Sequence, residues 1–213
     1  MAVADVGDPH PAIIAGPRTP WPPATNRGGT SGHALLYYPL DPDGEGAMVE
    51  LTLTAMTEQE LAPLLGTLEQ HYAEDMVAHR GMTPAAARER SSNQLRELLP
   101  AGAATEGVLL RLARFGDAEV GWIWVTVPGA VGATDTTGSQ RGWIHNIEVY
   151  PAHRGRGYAR RMIQLIEVEL AHLGVPELGL NVFGTNTVAI GLYRSLGFEV
   201  MAQQMSKRIE PAG

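Results

Sequence analysis

Apolar and polar positions along this chain fall into runs of two periods, and the period changes where glycine or proline intervenes. Residues 49–55 (VELTLTA) alternate, as a half-buried strand does. Thr57-Glu58-Gln59-Glu60 is a capping box. It opens a helix with Leu61, Leu64, Leu65, Leu68, Tyr72 and Met76 on one face, with Pro63 bending its first turns and Gly81 ending it. Thr83-Pro84 starts a second helix that runs to about Leu99 and stops at Pro100-Ala101-Gly102. Residues 108–115 and 120–127 are strand-like runs joined by Gly116-Asp117-Ala118-Glu119, an antiparallel hairpin. A polar, glycine-rich loop over 129–140 leads to another strand, 143–150, which Pro151 stops. Ala159, Met162, Ile163, Ile166, Leu170 and Leu173 then form a helical stripe closed by Gly174 and Pro176. Residues 178–183 are a further strand. Asn186 caps a short helix with Ala189, Leu192, Tyr193 and Leu196 inward, and 198–209 reads as a last strand, bent or split. The order β-α-α-β-β-β-α-β-α-β predicts an α/β (α+β mixed sheet) fold of six to seven strands with helices on both faces.

Composition narrows the picture. With 213 residues, 44% of them hydrophobic, the chain suits one core-bearing domain. Residues 1–47 hold 8 of the 15 prolines and 7 of the glycines, and are expected to be a disordered or loosely docked N-terminal extension of a domain at 48–213. A net charge of −7 disfavours a nucleic-acid surface. The absence of cysteine excludes disulfides, thiolate metal sites and a cysteine nucleophile. Without an apolar run of membrane-spanning length or a signal-peptide pattern at the N-terminus, the expectation is a cytoplasmic protein with no membrane partner.

The candidate chemistry sits between the 143–150 strand and the helix after it. Arg154-Gly155-Arg156-Gly157 is a tight basic loop feeding a helix N-terminus. Unpaired N–H groups, the positive end of the helix dipole and two arginines suit a phosphate. Read alone, the loop could equally be a tight connection with solvated arginines. The frames G-x-x-x-x-G-K-[ST] and G-x-G-x-x-G are absent from the chain.

Arg154-Gly155-Arg156-Gly157-Tyr158-Ala159 fits the R/Q-x-x-G-x-G/A signature of the GNAT superfamily of acyl-CoA-dependent N-acetyltransferases. The downstream block LNVFGTNTVAIGLYRSLGFEV resembles that family's final strand-helix-strand region, and the resemblance spans roughly 48–209. It implies acetyl-CoA as co-substrate, with no metal. Its pyrophosphate would lie on Arg154, Gly155, Arg156, Gly157, Tyr158 and Ala159. Its pantetheine arm would run along Ile147, Glu148 and Val149, with Asn181, Asn186 and Tyr193 also lining the cofactor. The resemblance implies Tyr193 as the acid that protonates the leaving thiolate; the competing reading is an ordinary core aromatic. His145 is a candidate base, or else a satisfied sheet histidine. Strict alternation would put it on one face with Trp143, Ile147 and Val149, leaving Glu148 opposite unless a bulge re-aims it. Glu148, with Asn146, is therefore a secondary candidate. Glu69, His71, Glu74 and Asp75 are either a solvated helix face or the acidic wall of a pocket for a cationic amine.

The function this implies is acetyl transfer from acetyl-CoA to a primary amine, on a small molecule or a peptide, by direct attack in a ternary complex. A protein lysine or N-terminal acetyltransferase and a non-catalytic acyl-CoA-binding module are the alternatives. A homodimer is an open option.

Overall fold

A computed structural model of the chain describes residues 50–130 and 140–205, together with 207 and 209. The expectations for 1–47 and for most of the 129–140 loop lie outside these residues. In chain order the elements are β1 (Leu51–Ala55), α1 (Glu58–Arg80), α2 (Pro84–Leu98), β2 (Val108–Phe115) and β3 (Ala118–Thr126). They continue with β4 (Arg141–Val149), α3 (Tyr158–His172), β5 (Glu177–Leu180) and α4 (Thr187–Ser195). The strands form one sheet in the order β1-β2-β3-β4-β5. The first three pairings are antiparallel and β4–β5 is parallel, joined by a crossover that contains α3.

The mixed sheet with helices on both faces is as the pattern predicts, but among the described residues it has five strands rather than six or seven. The difference is the segment after α4. Phe198 turns in to pack on Tyr193, with ring centroids 5.5 Å apart. Val200, Met201, Met205 and Ile209 stay exposed, and residues 198–205 have no ladder partner.

Each face of the sheet has its own core. Met162, Ile163, Ile166 and Leu170 of α3 pack with Tyr193 of α4 against Ile123, Val125, Ile144 and Ile147. On the other face Leu61, Leu68, Tyr72, Leu95 and Leu98 of α1 and α2 cover Leu110, Leu112, Trp122 and Trp124. Burying such side chains contributes about 1.5–3 kcal/mol apiece.

Helix α1 starts where the capping box predicts. Thr57 N donates to Glu60 Oε2 at 2.7 Å, and Thr57 Oγ1 accepts from Glu60 N at 3.3 Å. The Thr57 N–H, then the Thr57 hydroxyl, which donates to Glu60 Oε2 at 2.8 Å, and then Arg114 hold the Glu60 carboxyl below its ordinary pKa. The helix runs unbroken through Pro63. Ser91 Oγ donates to Glu69 O at 2.8 Å and ties α2 to α1. Gly121 is required by close approach: a Cβ there would overlap the carbonyl oxygen of Glu148 on β4.

Candidate active site

The site begins with a bulge. Val125 pairs with Ile144 and Trp124 with Asn146, so His145 is an extra residue on β4 with no counterpart on β3. The bulge resets the alternation. Ile147 pairs with Ile123 and lies with Ile144 and Val149 in the α3-side core. Glu148 pairs with Trp122 and Asn146 with Trp124, on the face covered by α1 and α2. Strict alternation is thus overturned: His145 and Glu148 share a face, and Ile147 and Val149 point away from them.

On that face His145 has no exposed surface. Its ring stacks on Trp124, with centroids 4.7 Å apart, and its Nε2 lies 3.0 Å from Thr126 Oγ1. Tyr72 Oη of α1 donates to His145 O at 2.9 Å, so the bulge carbonyl is already engaged. Burial, and then the Asp75 charge, push the Tyr72 phenol well above its ordinary pKa. Asp75 therefore lies within electrostatic reach of this face. Glu148 is half-buried, and its Oε2 accepts from Trp122 Nε1 at 3.0 Å.

The second feature is a divergence of strands. The parallel register joins residues 141–144 of β4 to 177–180 of β5 and ends at the pair Ile144–Leu180. Beyond Ile144 the described β4–β5 ladder pairs no further residue of β4, whose 146–149 stretch pairs with β3. Asn181, half-buried, continues from β5 as an isolated bridge residue.

The basic loop follows. Gly155 and Gly157 adopt φ of 75° and 80°, left-handed values that favour glycine. Gly157 is the N-cap of α3, without a side-chain cap bond and without an acidic residue in the first turn. The other helices are capped by the side chains of Thr57, Thr83 and Asn186. The first N–H groups of α3 thus have no internal side-chain acceptor. Arg154 Nε donates to Val149 O at 2.9 Å, fastening the loop to the end of β4, and Arg156 is exposed. Ala159 follows in the first turn, half-buried, while the Tyr158 ring is buried against Phe115, centroids 5.4 Å apart. Tyr158 can offer a ligand only its backbone, as can Ile147 and Val149.

Tyr193 is 2% exposed, and its hydroxyl has no hydrogen-bond partner among the described residues. Burial pushes its pKa well above the ordinary phenol value. Asn186 serves as a helix cap, with Oδ1 accepting from Ala189 N at 3.1 Å. Of the acidic residues on α1, Glu69 and Asp75 are half-buried, as is His71, whereas Glu74 is exposed and accepts from Gln70 Nε2 at 2.8 Å.

The structure therefore brings His145, Glu148 and Asn146 together at the bulge and puts the α3 N-terminus beyond the end of the same strand. Tyr72, Trp124 and Thr126 join them, though the sequence marks Tyr72 only as part of a helix face and the other two only as part of a strand-like run. No cluster of His, Asp or Glu suited to a metal ion occurs among the described residues. Nor, among those residues, is any helix long and apolar enough to cross a membrane.

Comparison with known proteins identifies the family. The model of the Acetyltransferase (GNAT) family matches residues 67–198. The uncharacterized N-acetyltransferase YycN of Bacillus subtilis (strain 168) is 29% identical over 160 residues, 75% of this chain and 99% of YycN. The crystal structure of YycN aligns with a TM-score of 0.68 at 28% identity, over 76% of this chain and 100% of that one. YdgE of the same organism, also an uncharacterized N-acetyltransferase, is 25% identical over 159 residues, 74% of this chain and 98% of YdgE.

Proposed function

This chain belongs to the GNAT acetyltransferase family and is an acetyltransferase; from that premise we propose that it moves an acetyl group from acetyl-CoA to a primary amine, by direct attack in a ternary complex. The observation that carries the proposal is the end of the β4–β5 ladder at Ile144, with the α3 N-terminus beyond the end of β4. An extended pantetheine arm can pair with the backbone of β4 at Ile147, Glu148 and Val149, and Asn181 and Asn186 line its path. The pyrophosphate then meets the backbone N–H groups from Gly155 to Ala159, with Arg154 and Arg156 beside them.

The chemistry needs three transfers. An alkylammonium has a pKa of about 10, so it must lose a proton before it can attack. Glu148 suits this better than His145: it is half-buried, whereas His145 is sealed between Trp124 and Thr126. In this reading His145 holds the bulge in shape. The amine nitrogen then attacks the thioester carbonyl, and backbone N–H groups at the bulge steady the oxyanion. As the C–S bond breaks, the Tyr193 hydroxyl gives its proton to the thiolate, the attacking nitrogen sheds its second proton to solvent, and the phenolate recovers one from solvent before the next turnover. The raised pKa of Tyr193 keeps it protonated at neutral pH, and its unpartnered oxygen is free to turn toward sulfur. With no cysteine in the chain, an acetyl-cysteine intermediate is excluded. Asp75 adds negative charge on the acceptor side, which favours a cationic amine.

The test is thiol release from acetyl-CoA against alkylamines, polyamines, aminoglycosides, amino-acid amides and peptides. Release that depends on an added amine is expected. Tight acetyl-CoA binding without release by any amine would leave only a binding module.

A further inference from the structure

Trp124 and Asn146 sit directly opposite each other on β3 and β4, on the face covered by α1 and α2. They are 0% and 2% exposed, yet Trp124 Nε1 and Asn146 Nδ2 have no hydrogen-bond partner among the described residues. Buried N–H groups left unbonded are costly and rare. Three polar atoms on the same face each have a partner of their own. His145 O takes the Tyr72 hydroxyl at 2.9 Å, and Glu148 Oε2 takes Trp122 Nε1 at 3.0 Å. Thr126 Oγ1 is bonded to His145 Nε2 at 3.0 Å. The two donors belong to residues paired across β3 and β4 at the bulge, just past the point where the β4–β5 ladder ends.

We infer that Trp124 Nε1 and Asn146 Nδ2 form a two-donor seat for a neutral oxygen of the acyl acceptor, so that the acceptor is an amine bearing a carbonyl, as in an amino-acid amide or a peptide N-terminus. The inference rests on the acetyl-transfer reading of this face. Among the described residues the buried polar side chains are Ser91, Thr105, Thr126, His145 and Asn146, with no arginine or lysine among them. Two neutral N–H donors without a cation suit a carbonyl better than a carboxylate, whose charge would stay uncompensated. Glu148 lies two residues along the same strand face, about 7 Å away. It offers the negative charge for the ammonium. A carbonyl-bearing amine fills both ends of this arrangement. A plain alkylamine or polyamine of similar size leaves the two donors buried and unbonded, and that penalty discriminates against it.

Two ligands test this by calorimetry on the full chain saturated with CoA, where no transfer can occur. One is alaninamide; the other is its isostere with an isopropyl group in place of the carboxamide. Alaninamide should bind about 5- to 150-fold more tightly. Asn146→Leu removes one donor, and Trp124→Phe removes the other while keeping most of the ring; each should bring the ratio toward one. A wild-type ratio near one, a ratio unchanged in both variants, or binding of neither ligand would overturn the inference, leaving a seat for solvent only. Thiol release with the same amines separates this from the parent proposal. A binding preference without release by any amine would sink acetyl transfer and keep the seat. Release without a preference would do the reverse.

Discussion

Replacing Tyr193 by phenylalanine should make the free protein more stable and the enzyme slower. The hydroxyl is buried, with no partner among the described residues. Such a group costs about 1–3 kcal/mol relative to an apolar surface of the same shape. The ring itself packs in the α3-side core and against Phe198, and phenylalanine keeps those contacts. Even the low end, about 1 kcal/mol, raises Tm by about 2–4 °C in a domain of this size. Against that gain, loss of a general acid lowers kcat by about 10²- to 10⁴-fold, with acetyl-CoA affinity little changed. The alkaline limb of stability checks the cause. Burial raises the folded Tyr193 pKa, so above about pH 10 the unfolded chain releases a proton that the native state keeps. Wild-type stability therefore falls as pH climbs through that range. The variant should fall less steeply, with buried Tyr72, raised in the same direction, accounting for the remainder. Thermal melts from neutral pH to about pH 11, paired with thiol-release kinetics, read both effects. A variant that melts lower and turns over at the wild-type rate would refute the reasoning.

Three further outcomes follow from the same geometry. Glu148→Gln should keep the Trp122 bond and hence Tm, while kcat falls by about 10²- to 10⁴-fold; a wild-type rate would put the proton path elsewhere. Arg156→Glu should raise the KM for acetyl-CoA without moving Tm, because this arginine is exposed, whereas Arg154→Glu should also lower Tm through its lost bond to Val149 O. Thr57→Ala should cost about 1 kcal/mol of stability and leave kcat alone. Glu60 stabilises the fold above its ordinary carboxylate pKa and loses this as pH falls through its lowered value, so the same variant should also show a shallower loss of stability in acid.

Much of this fold can be read from residues with local causes. The Thr57–Glu60 capping box, the α3 stripe and the β2–β3 hairpin each depend on neighbours in sequence; the capping box forms where expected, the stripe is buried except for half-buried Ala159 and exposed Leu173, and the hairpin forms with a shorter turn, since Ala118 and Glu119 already belong to β3. The basic loop was legible for the same reason, since glycines at positive φ and an uncapped helix start are local features. The bulge at His145 was not. It is set by how β4 registers against β3, and its one trace in the sequence, the three-residue step from Ile144 to Ile147, is hidden because Trp143, Ile147 and Val149 also fit an unbroken alternation through His145. That single slip moved Glu148 to the face of His145 and Ile147 away from it. The donor pair of Trp124 and Asn146 was equally invisible, because a missing partner is a property of packing and not of residue type. Of the expected last strand, residues 198–205 alternate enough to suggest one, but Phe198 finds its partner in Tyr193.

Direct transfer between two bound substrates is the central claim, and initial rates of thiol release test it most directly. Acetyl-CoA and an active amine are varied together. Intersecting double-reciprocal lines, with CoA and acetylated amine formed in equal amounts, are the predicted result. Parallel lines, the mark of an acetylated enzyme intermediate, would contradict it.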